Sequence, residues 1–538
     1  MVPEQWEQVL WESGYRSIES ERCKQIMGGI IDGVDIEFMG NRELARFGDN
    51  LPIDEVNRKK VDDIIKKDIR EGKKAGPFEW APFPFFVVSP IGAVPKKTPG
   101  KIRVIHHLSF PFKGASVNAD IVDEYLPLQR FADAAWAVVA LGNGCFLVKL
   151  DVEAAYKQVP VRIKDWPLLG FMWEGKYYYE RVLPFGLKSS CRIWDWYASA
   201  LHHFFEKMNL GFIIHYIDDF LFVVKSREEA EVLKNQALQL CERLGIPMAS
   251  DKTEGPVQCL TFLGIELDTI NMEARLPAIK LAEIQQLTSD WLGKSKATAK
   301  ELQSLAGVLT FAASVVRPGR FFVSSLFKMA AKMKAANLSR FRTWDLSAES
   351  RADIAWWQEF SADWNGHSLL YEKQWTLAPT IEFFTDSCKK GYGAIFGNEW
   401  FAGEWNEDWI ATAMRAKQIS MPFLELFTVV AAALTWGYRW KGKKVTFRTD
   451  AEAAMHAING STAKDPGMAH LLRQLAIHAC RHQYDFRAVH IAGAKNVIAD
   501  ELSRHGSSAQ FRSLCPQSML LPTLMAPVIC PPPVVRTV

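Results

Sequence analysis

Seven carboxylates stand in surroundings that do not suit surface acids. The run GFIIHYIDDFLFVV sets Asp218 and Asp219 side by side between apolar flanks, and FLVKLDVEAAYKQVP ends another apolar run at Asp151. Burying an unpaired charge is costly, and a touching like charge adds to the cost. Divalent cations remove both penalties. Hard oxygen donors suit Mg2+, which takes one or two protein carboxylates together with substrate phosphates. A second set comprises Asp386 in FFTDS, Glu425 in FLELF, Asp450 in VTFRTD and Asp500 in ADELSR. Two cations on such a set serve in-line displacement at phosphorus, one activating the attacking oxygen and one holding the leaving oxygen. Each acid also has an ordinary use. Asp151 and Asp450 suit helix N-caps, Asp218–Asp219 a hairpin tip, and Asp500 the first turn of a helix dipole. Glu425 suits an exposed helix position, but apolar neighbours on both sides are odd for a solvated glutamate.

The elements that must carry these residues follow from periodicity and punctuation. Residues 1–50 are mixed and weakly patterned. From Ile53 to Gly72 apolar residues recur at helical spacing with a basic far side. A proline-dense passage follows, and VVSPIGAVPKK–TPG–KIRVIHHLS reads as a hairpin with a basic tip of Lys96, Lys97, Lys101 and Arg103. GCFLVKLDV and GFIIHYIDDFLFVV are short strands, separated by the loop LPFGLKSS and the aromatic helix CRIWDWYASALHHFFEKM. Residues 277–336 are helical. After Pro379 come three strands, IEFFTDS, GYGAIFGN and EWFAGEW, then alternating helices and strands, the grammar of an α/β domain. The chain of 538 residues is too long for one core. The expected segments are 1–75, an N-terminal segment with the amphipathic basic helix; 76–270; 271–378, helical; 379–506, α/β; and 507–538, a disordered proline-rich tail.

Composition narrows the class. Net charge is +3 and hydrophobic content 48%, as in ordinary globular proteins, so any polyanion contact must come from local charge. The nine cysteines show no zinc spacing and no disulfide framework, which suits a reducing compartment. The N-terminus lacks the apolar core of a signal peptide, and prolines break the apolar tail. The expectation is an intracellular protein, cytoplasmic or nuclear, with no membrane partner.

The order of hairpin, strand–Asp, LPFG loop, YIDD hairpin, DKTEGP and TFLGIELD resembles reverse transcriptases over residues 76–270. The strand–strand–strand–helix–strand–helix order with its D-E-D-D quartet resembles ribonuclease H over 379–506. SPIGAVPKK, HHLSFPFKGASVN and NVIADELSR resemble retrotransposons of the DIRS group, which pair this enzyme with a tyrosine recombinase. The resemblance implies an α+β and α/β multidomain fold: a right-hand polymerase of fingers, palm and thumb, followed by a ribonuclease H-like α/β domain. It implies two Mg2+ ions per active site, with Mn2+ as the alternative, on Asp151, Asp218 and Asp219 and on Asp386, Glu425, Asp450 and Asp500. It further implies Lys97 and Arg103 on the incoming triphosphate, Lys252 as proton donor to pyrophosphate and Tyr156 as steric gate against a ribose 2′-hydroxyl. Phe185, Gly186 and Tyr216 are implied against template and nucleotide, and His490 in product release or proton transfer, while Asn496 orders the last loop. Lys300, Arg317 and Arg320 are expected on backbone phosphates. The implied partners are an RNA template, a DNA primer, an RNA–DNA hybrid, dNTPs and a tyrosine recombinase of the same element. His107 stands where relatives carry Asp. The competing reading, a domesticated nucleic-acid-binding remnant, is disfavoured because all seven carboxylates are present.

Overall fold

The computed structural model describes residues 1–96, 100–112, 114–336, 342–363, 365, 368–369, 383–406, 419–515 and 521–528. The chain forms two compact units, Met1–Leu260 and Thr261–Val538. The division falls before the expected boundary at residue 270, and it groups the helices of 271–378 with the α/β region.

In the first unit, α1 (Pro3–Glu12) and α2 (Ser20–Ile31) occupy a region that the sequence pattern leaves blank. The apolar spacing of Trp6, Val9 and Leu10 does bury, and the Trp6 indole donates to Leu244 O at 3.1 Å. Gly28 and Gly29 dilute the helical signal of α2. Gly29 is required by packing, since a Cβ there would stand 2.3 Å from the Tyr197 hydroxyl. The basic helix is α3 (Glu55–Arg70), N-capped by Asp54 on Asn57 N. Strand β1 (Lys74–Phe78) follows, and β2 (Ile91–Pro95) with β3 (Ile102–His106) makes the expected hairpin, in register Val94↔Arg103.

Helix α4 (Phe131–Leu141) leads into the sheet that carries the first carboxylates. That sheet has the order β7-β8-β4-β9, formed by β4 (Phe146–Asp151), β7 (Gly211–Tyr216), β8 (Asp219–Val224) and β9 (Glu254–Val257). Between β4 and β7 lie β5 (Gly170–Trp173), β6 (Lys176–Glu180) and the aromatic helix α5 (Ser190–Glu206). Ile193, Trp194, Tyr197, Leu201 and Phe204 line the buried face of α5 at helical spacing. Helix α6 (Arg227–Leu244) is fixed by a capping box between Ser226 and Glu229.

Strand β10 (Cys259–Phe262) straddles the division; in the second unit β11 (Ile265–Asp268) and β12 (Glu273–Arg275) precede four helices, α7 (Ala278–Leu292), α8 (Ala299–Ala312), α9 (Ser324–Ala335) and α10 (Ala348–Asp363). The expected meander then appears as β13 (Phe383–Ser387), β14 (Gly391–Phe396) and β15 (Glu399–Glu404). Helix α11 (Met421–Trp436), β16 (Lys444–Thr449), α12 (Glu452–Gly460), α13 (Pro466–Arg481), β17 (Asp485–His490) and α14 (Val497–His505) complete it in the expected order. The sheet order is β17-β16-β13-β14-β15, with β13–β16 and β16–β17 parallel. Helix α11 is apolar almost all round because it lies in the core, where only its first turn and Leu434 stay partly open.

The expectation of a disordered tail from residue 507 is corrected. Residues 509–514 form α15 (Ala509–Leu514), whose Phe511 is fully buried and stacks edge-on with Trp400 at 5.2 Å. Beyond it β18 (Leu521–Pro522) pairs with β15 in parallel and closes that sheet edge. The low-pattern composition hides one aromatic anchor and a proline-tolerant edge strand. The PPP run lies outside the described residues. Phe511→Ala is expected to cost about 3–5 kcal/mol, the usual cost of emptying an aromatic site. Denaturant unfolding checks this: a midpoint equal to wild type would return α15 to the surface.

Candidate active sites

The first site is one rung of a sheet. Strand β4 runs antiparallel to β8 with Asp151 opposite Asp219, and β7 pairs with β8 so that Tyr216 also faces Asp219. Asp218 sits in the two-residue turn. Its partner in that turn, Ile217, is at φ +60°, a left-handed conformation rare for a β-branched residue. The strain is held by outside bonds: the Trp194 indole donates to Ile217 O at 2.9 Å, and Val152 N donates to Asp218 O at 3.0 Å. A turn that must point a carboxylate at a neighbouring strand is thus fixed by α5 and by the chain just after Asp151.

Asp151 is buried, and Asp218 and Asp219 are half-buried. Burial, then the hydrogen bond and charges of Asp151 and Asp218, push the Asp219 carboxyl up to about 7. Burial and Asp151 also raise Asp218. Lys252 reaches the set directly, with Nζ 2.6 Å from Asp151 Oδ1. Partial burial works against its charge, but Asp151 and the two further acids prevail and its pKa is raised.

A row of cations and rings faces these acids. Arg103, exposed on β3, lies over the Phe185 ring at 4.5 Å, and Phe185 lies 5.3 Å from the Tyr156 ring. The Tyr156 hydroxyl pairs with Cys191, and burial first, then Cys191, raises its pKa. Gly186 is at φ +112°, and a Cβ there would stand 2.0 Å from His106 O. The close approach that Gly186 permits here is to β3. His106 N donates to Phe185 O at 2.8 Å and ties the hairpin to the LPFG loop. His107 packs edge-on against Phe110.

Lys97 lies outside the described residues. Its neighbour Lys96, read in the sequence as part of the basic tip, shares a face with Lys101 and Arg103, because Lys96 N donates to Lys101 O at 2.9 Å and continues the hairpin register. Burial, then the charges of Arg103, Lys252, Lys101 and Lys157, lower the Lys96 pKa, so these cations converge. Lys300 and Arg320, in the other unit, are exposed as phosphate contacts require, while the Arg317 side chain lies outside the described residues.

The second site gathers three of its four expected acids. Asp386 on central strand β13, Glu425 on α11 and Asp450 just after β16 offer oxygens that all lie within 4.8 Å of one another. Burial first, then neighbouring acids, pushes Asp386 up to about 6 and Glu425 up to about 9. Glu425 Oε2 and Asp450 Oδ1 are buried without a hydrogen-bond partner. Three converging acids, two of them with an unpartnered oxygen, form a set that could hold a hard cation. Asp500 stands apart in an ion pair with Arg504, 2.7 Å from Nε, although Asp386 still feels its charge. Two partners were missed: Arg504, and Ser503, whose hydroxyl donates to Asp386 Oδ2 at 2.6 Å. Both follow Asp500 on α14 at spacings that return to the same face. Asn496 holds Thr385 O at 3.0 Å and so fixes the loop as expected. His490 ends β17, exposed, opposite Thr449, the residue before Asp450.

Known proteins bear on the first unit above all. The family described as Reverse transcriptase (RNA-dependent DNA polymerase) matches over residues 94–267, so this part of the chain is similar to that family. The "Enzymatic polyprotein" of Carnation etched ring virus is 24% identical over 398 residues, covering 73% of this chain and 54% of that protein. The "Gag-Pro-Pol polyprotein" of Human T-cell leukemia virus 2 is 28% identical over 233 residues, covering 40% of this chain and 15% of that protein. The chain thus spans about half of the first polyprotein and a small part of the second. Among solved structures, a foamy viral protease-reverse transcriptase in complex with double-stranded DNA is similar with TM-score 0.50 and 15% identity, over 84% of this chain and 72% of that one. That likeness is one of fold.

The raised carboxyls predict a pH response. A carboxyl with a higher pKa folded than unfolded holds its proton preferentially in the fold, so stability rises as pH falls from the folded value toward the unfolded one. The windows run from about 9 down to about 4.3 for Glu425 and from about 7 down to about 3.9 for Asp219. In chelator, thermal melting should be lower at pH 8 than at pH 6, and Mg2+ should recover more at pH 8. Melting that rises with pH in chelator would place these acids in water.

Proposed function

We propose that the chain is an RNA-directed DNA polymerase with a separate ribonuclease H centre, built as fingers, palm and thumb followed by a ribonuclease H-like domain. The observation that carries the reading is the rung Asp151–Asp219 with Asp218 on its strained turn, opposite a row of Lys96, Arg103 and Lys252. The reverse transcriptase match over 94–267 supports it.

The acidic sets fit divalent ions, Mg2+ with Mn2+ as the alternative, held by Asp151, Asp218 and Asp219 and by Asp386, Glu425 and Asp450 with Asp500. When bound, such ions activate the attacking oxygen and stabilise the leaving one. The chain's own residues do the rest. Lys96 and Arg103 hold the triphosphate of a dNTP as an electrostatic clamp. Tyr156 and Phe185 form a wall beside the sugar, and Lys252 Nζ supplies a proton to the departing pyrophosphate. The substrates on this reading are an RNA template and a DNA primer, then the resulting hybrid. In the second centre His490 assists proton transfer or product release on the RNA strand, which is known by its 2′-hydroxyls rather than by sequence. The motifs SPIGAVPKK and NVIADELSR support a DIRS-type element whose neighbouring frame encodes a tyrosine recombinase.

Two substitutions test the assignment together. Asp218→Asn should lower primer extension on an RNA template by orders of magnitude and leave hybrid cleavage intact. Asp450→Asn should do the reverse. A hybrid labelled on each strand reads both activities in one reaction. If either variant loses both activities with unchanged melting, two independent centres are ruled out.

Exposed cations on the hairpin and on α8 predict a second property. Hybrid affinity should fall steeply with salt, because each phosphate contact releases counterions. A flat plot of log affinity against log salt would remove these residues from the nucleic-acid path.

A further inference from the structure

One buried charge cluster in the first unit belongs to neither carboxylate site. Lys157 Nζ lies 2.5 Å from Asp68 Oδ2, and the same oxygen lies 3.6 Å from Lys74 Nζ. Lys74 in turn pairs with Glu180. Asp68, Lys74 and Glu180 are buried, and the Lys157 side chain is only 18% exposed. The four residues come from α3, β1, β6 and the short turn Ala155–Gln158. Two acids and two bases balance, yet well-packed apolar residues would serve stability as well or better. The cluster therefore calls for a use other than stability.

Its position supplies one. Lys157 directly follows Tyr156, and both lie in a 3-10 turn of four residues, too short to hold its own shape. The turn is entered through Ala154 at φ +48°, a left-handed conformation that a Cβ disfavours. Tyr156 is held on one side by the Phe185 ring and by Cys191. On the other side the only charged anchor of the turn among the described residues is the bond from Lys157 to Asp68. A helix of the N-terminal segment is thus tied, through one ammonium, to the residue beside the sugar.

We propose that Asp68, acting through Lys157, is a positioning residue that sets the Tyr156 ring and so the sugar selectivity of the nucleotide site. The inference rests on the polymerase reading of the Asp151 set. A different role for Lys157 is open to the same test, because its charge reaches Lys96 in the cation row. If Lys157 bound phosphate directly, Asp68→Asn would release its ammonium and tighten deoxy- and ribonucleotides alike. If Lys157 positions the turn, losing either partner loosens Tyr156 and moves the ratio between the two sugars.

The experiment measures kcat/KM for dCTP and CTP opposite a template guanine in the full chain. It compares wild type, Tyr156→Val, Lys157→Met, Lys157→Arg, Asp68→Asn and the Asp68→Asn/Lys157→Met double variant. Lys157→Met and Asp68→Asn should each lower deoxy-over-ribo discrimination about tenfold, the scale of a small misplacement at a reacting centre. The double variant should lose no more than either single, and Lys157→Arg should keep most of the discrimination. Lys157→Met leaves Lys74 with both acids, so it carries the test if Asp68→Asn does not fold. A wild-type ratio in Lys157→Met, alongside a collapsed ratio in Tyr156→Val, overturns the positioning role while the polymerase reading stands. Equal losses for both sugars overturn it too. A wild-type protein that extends no primer overturns both.

Discussion

The rest of the first unit depends on a repulsion. Asp151 and Asp219 face each other across one rung of an otherwise apolar sheet, and Asp218 sits one residue away on the turn. Nothing about folding favours that arrangement. Burial first, and then the neighbouring carboxylates, push the Asp219 carboxyl up to about 7. The surrounding chain is arranged to withstand it. Trp194 and Val152 hold the strained turn, Lys252 neutralises one acid, and a row of Lys and Arg closes the opposite side. Such local conflict, maintained by many ordinary bonds, is where a protein stores the capacity to bind something that resolves it.

The second unit reaches a like result by a different route. Its acids come from a central strand, a core helix and a strand end instead of one hairpin. Glu425 is the most perturbed of these acids because α11 is buried along most of its length, so this carboxylate is largely shielded from water. Ser503 relieves Asp386, and Arg504 relieves Asp500, but Glu425 Oε2 and Asp450 Oδ1 keep no partner. The protein satisfies the outer acids and leaves the inner oxygens open, which is the pattern expected where a cation is the intended partner.

Much of this was legible in the sequence, for a definite reason. Carboxylates inside apolar runs break the burial rule locally, so Asp151, Asp218, Asp386 and Glu425 stood out before any contact was known. Period-two and helical patterns placed the strands and helices around them, and the whole strand–helix order after Pro379 appears in the structure. What was not legible depends on register or on distant partners. Lys96 was read only as part of a basic tip, because the pairing across the hairpin decides whether it shares a face with Arg103. The use of Gly186 was visible only once β3 lay against it. Helices α1 and α2 were hidden by short length and a Gly-Gly pair, of which Gly29 packs against Tyr197. Phe511 was one aromatic residue in a composition that reads as tail.

These misses share a cause that bears on function. Sequence signals report what a segment does with its own neighbours, whereas Gly186, Ser503 and Lys157 act on elements far away in the chain. They hold functional side chains in place, and none of them belongs to the conspicuous carboxylate pattern. An acid pair in an apolar strand announces the chemistry. The fidelity of that chemistry depends on less conspicuous residues, because a reacting group displaced by a fraction of an ångström still binds its cation but no longer meets its substrate in line. In this chain the anchoring of Tyr156 is such a case: the ring itself fits a recognisable motif, while the buried bond from Asp68 to Lys157 that steadies its turn becomes visible only when four separate elements are brought together.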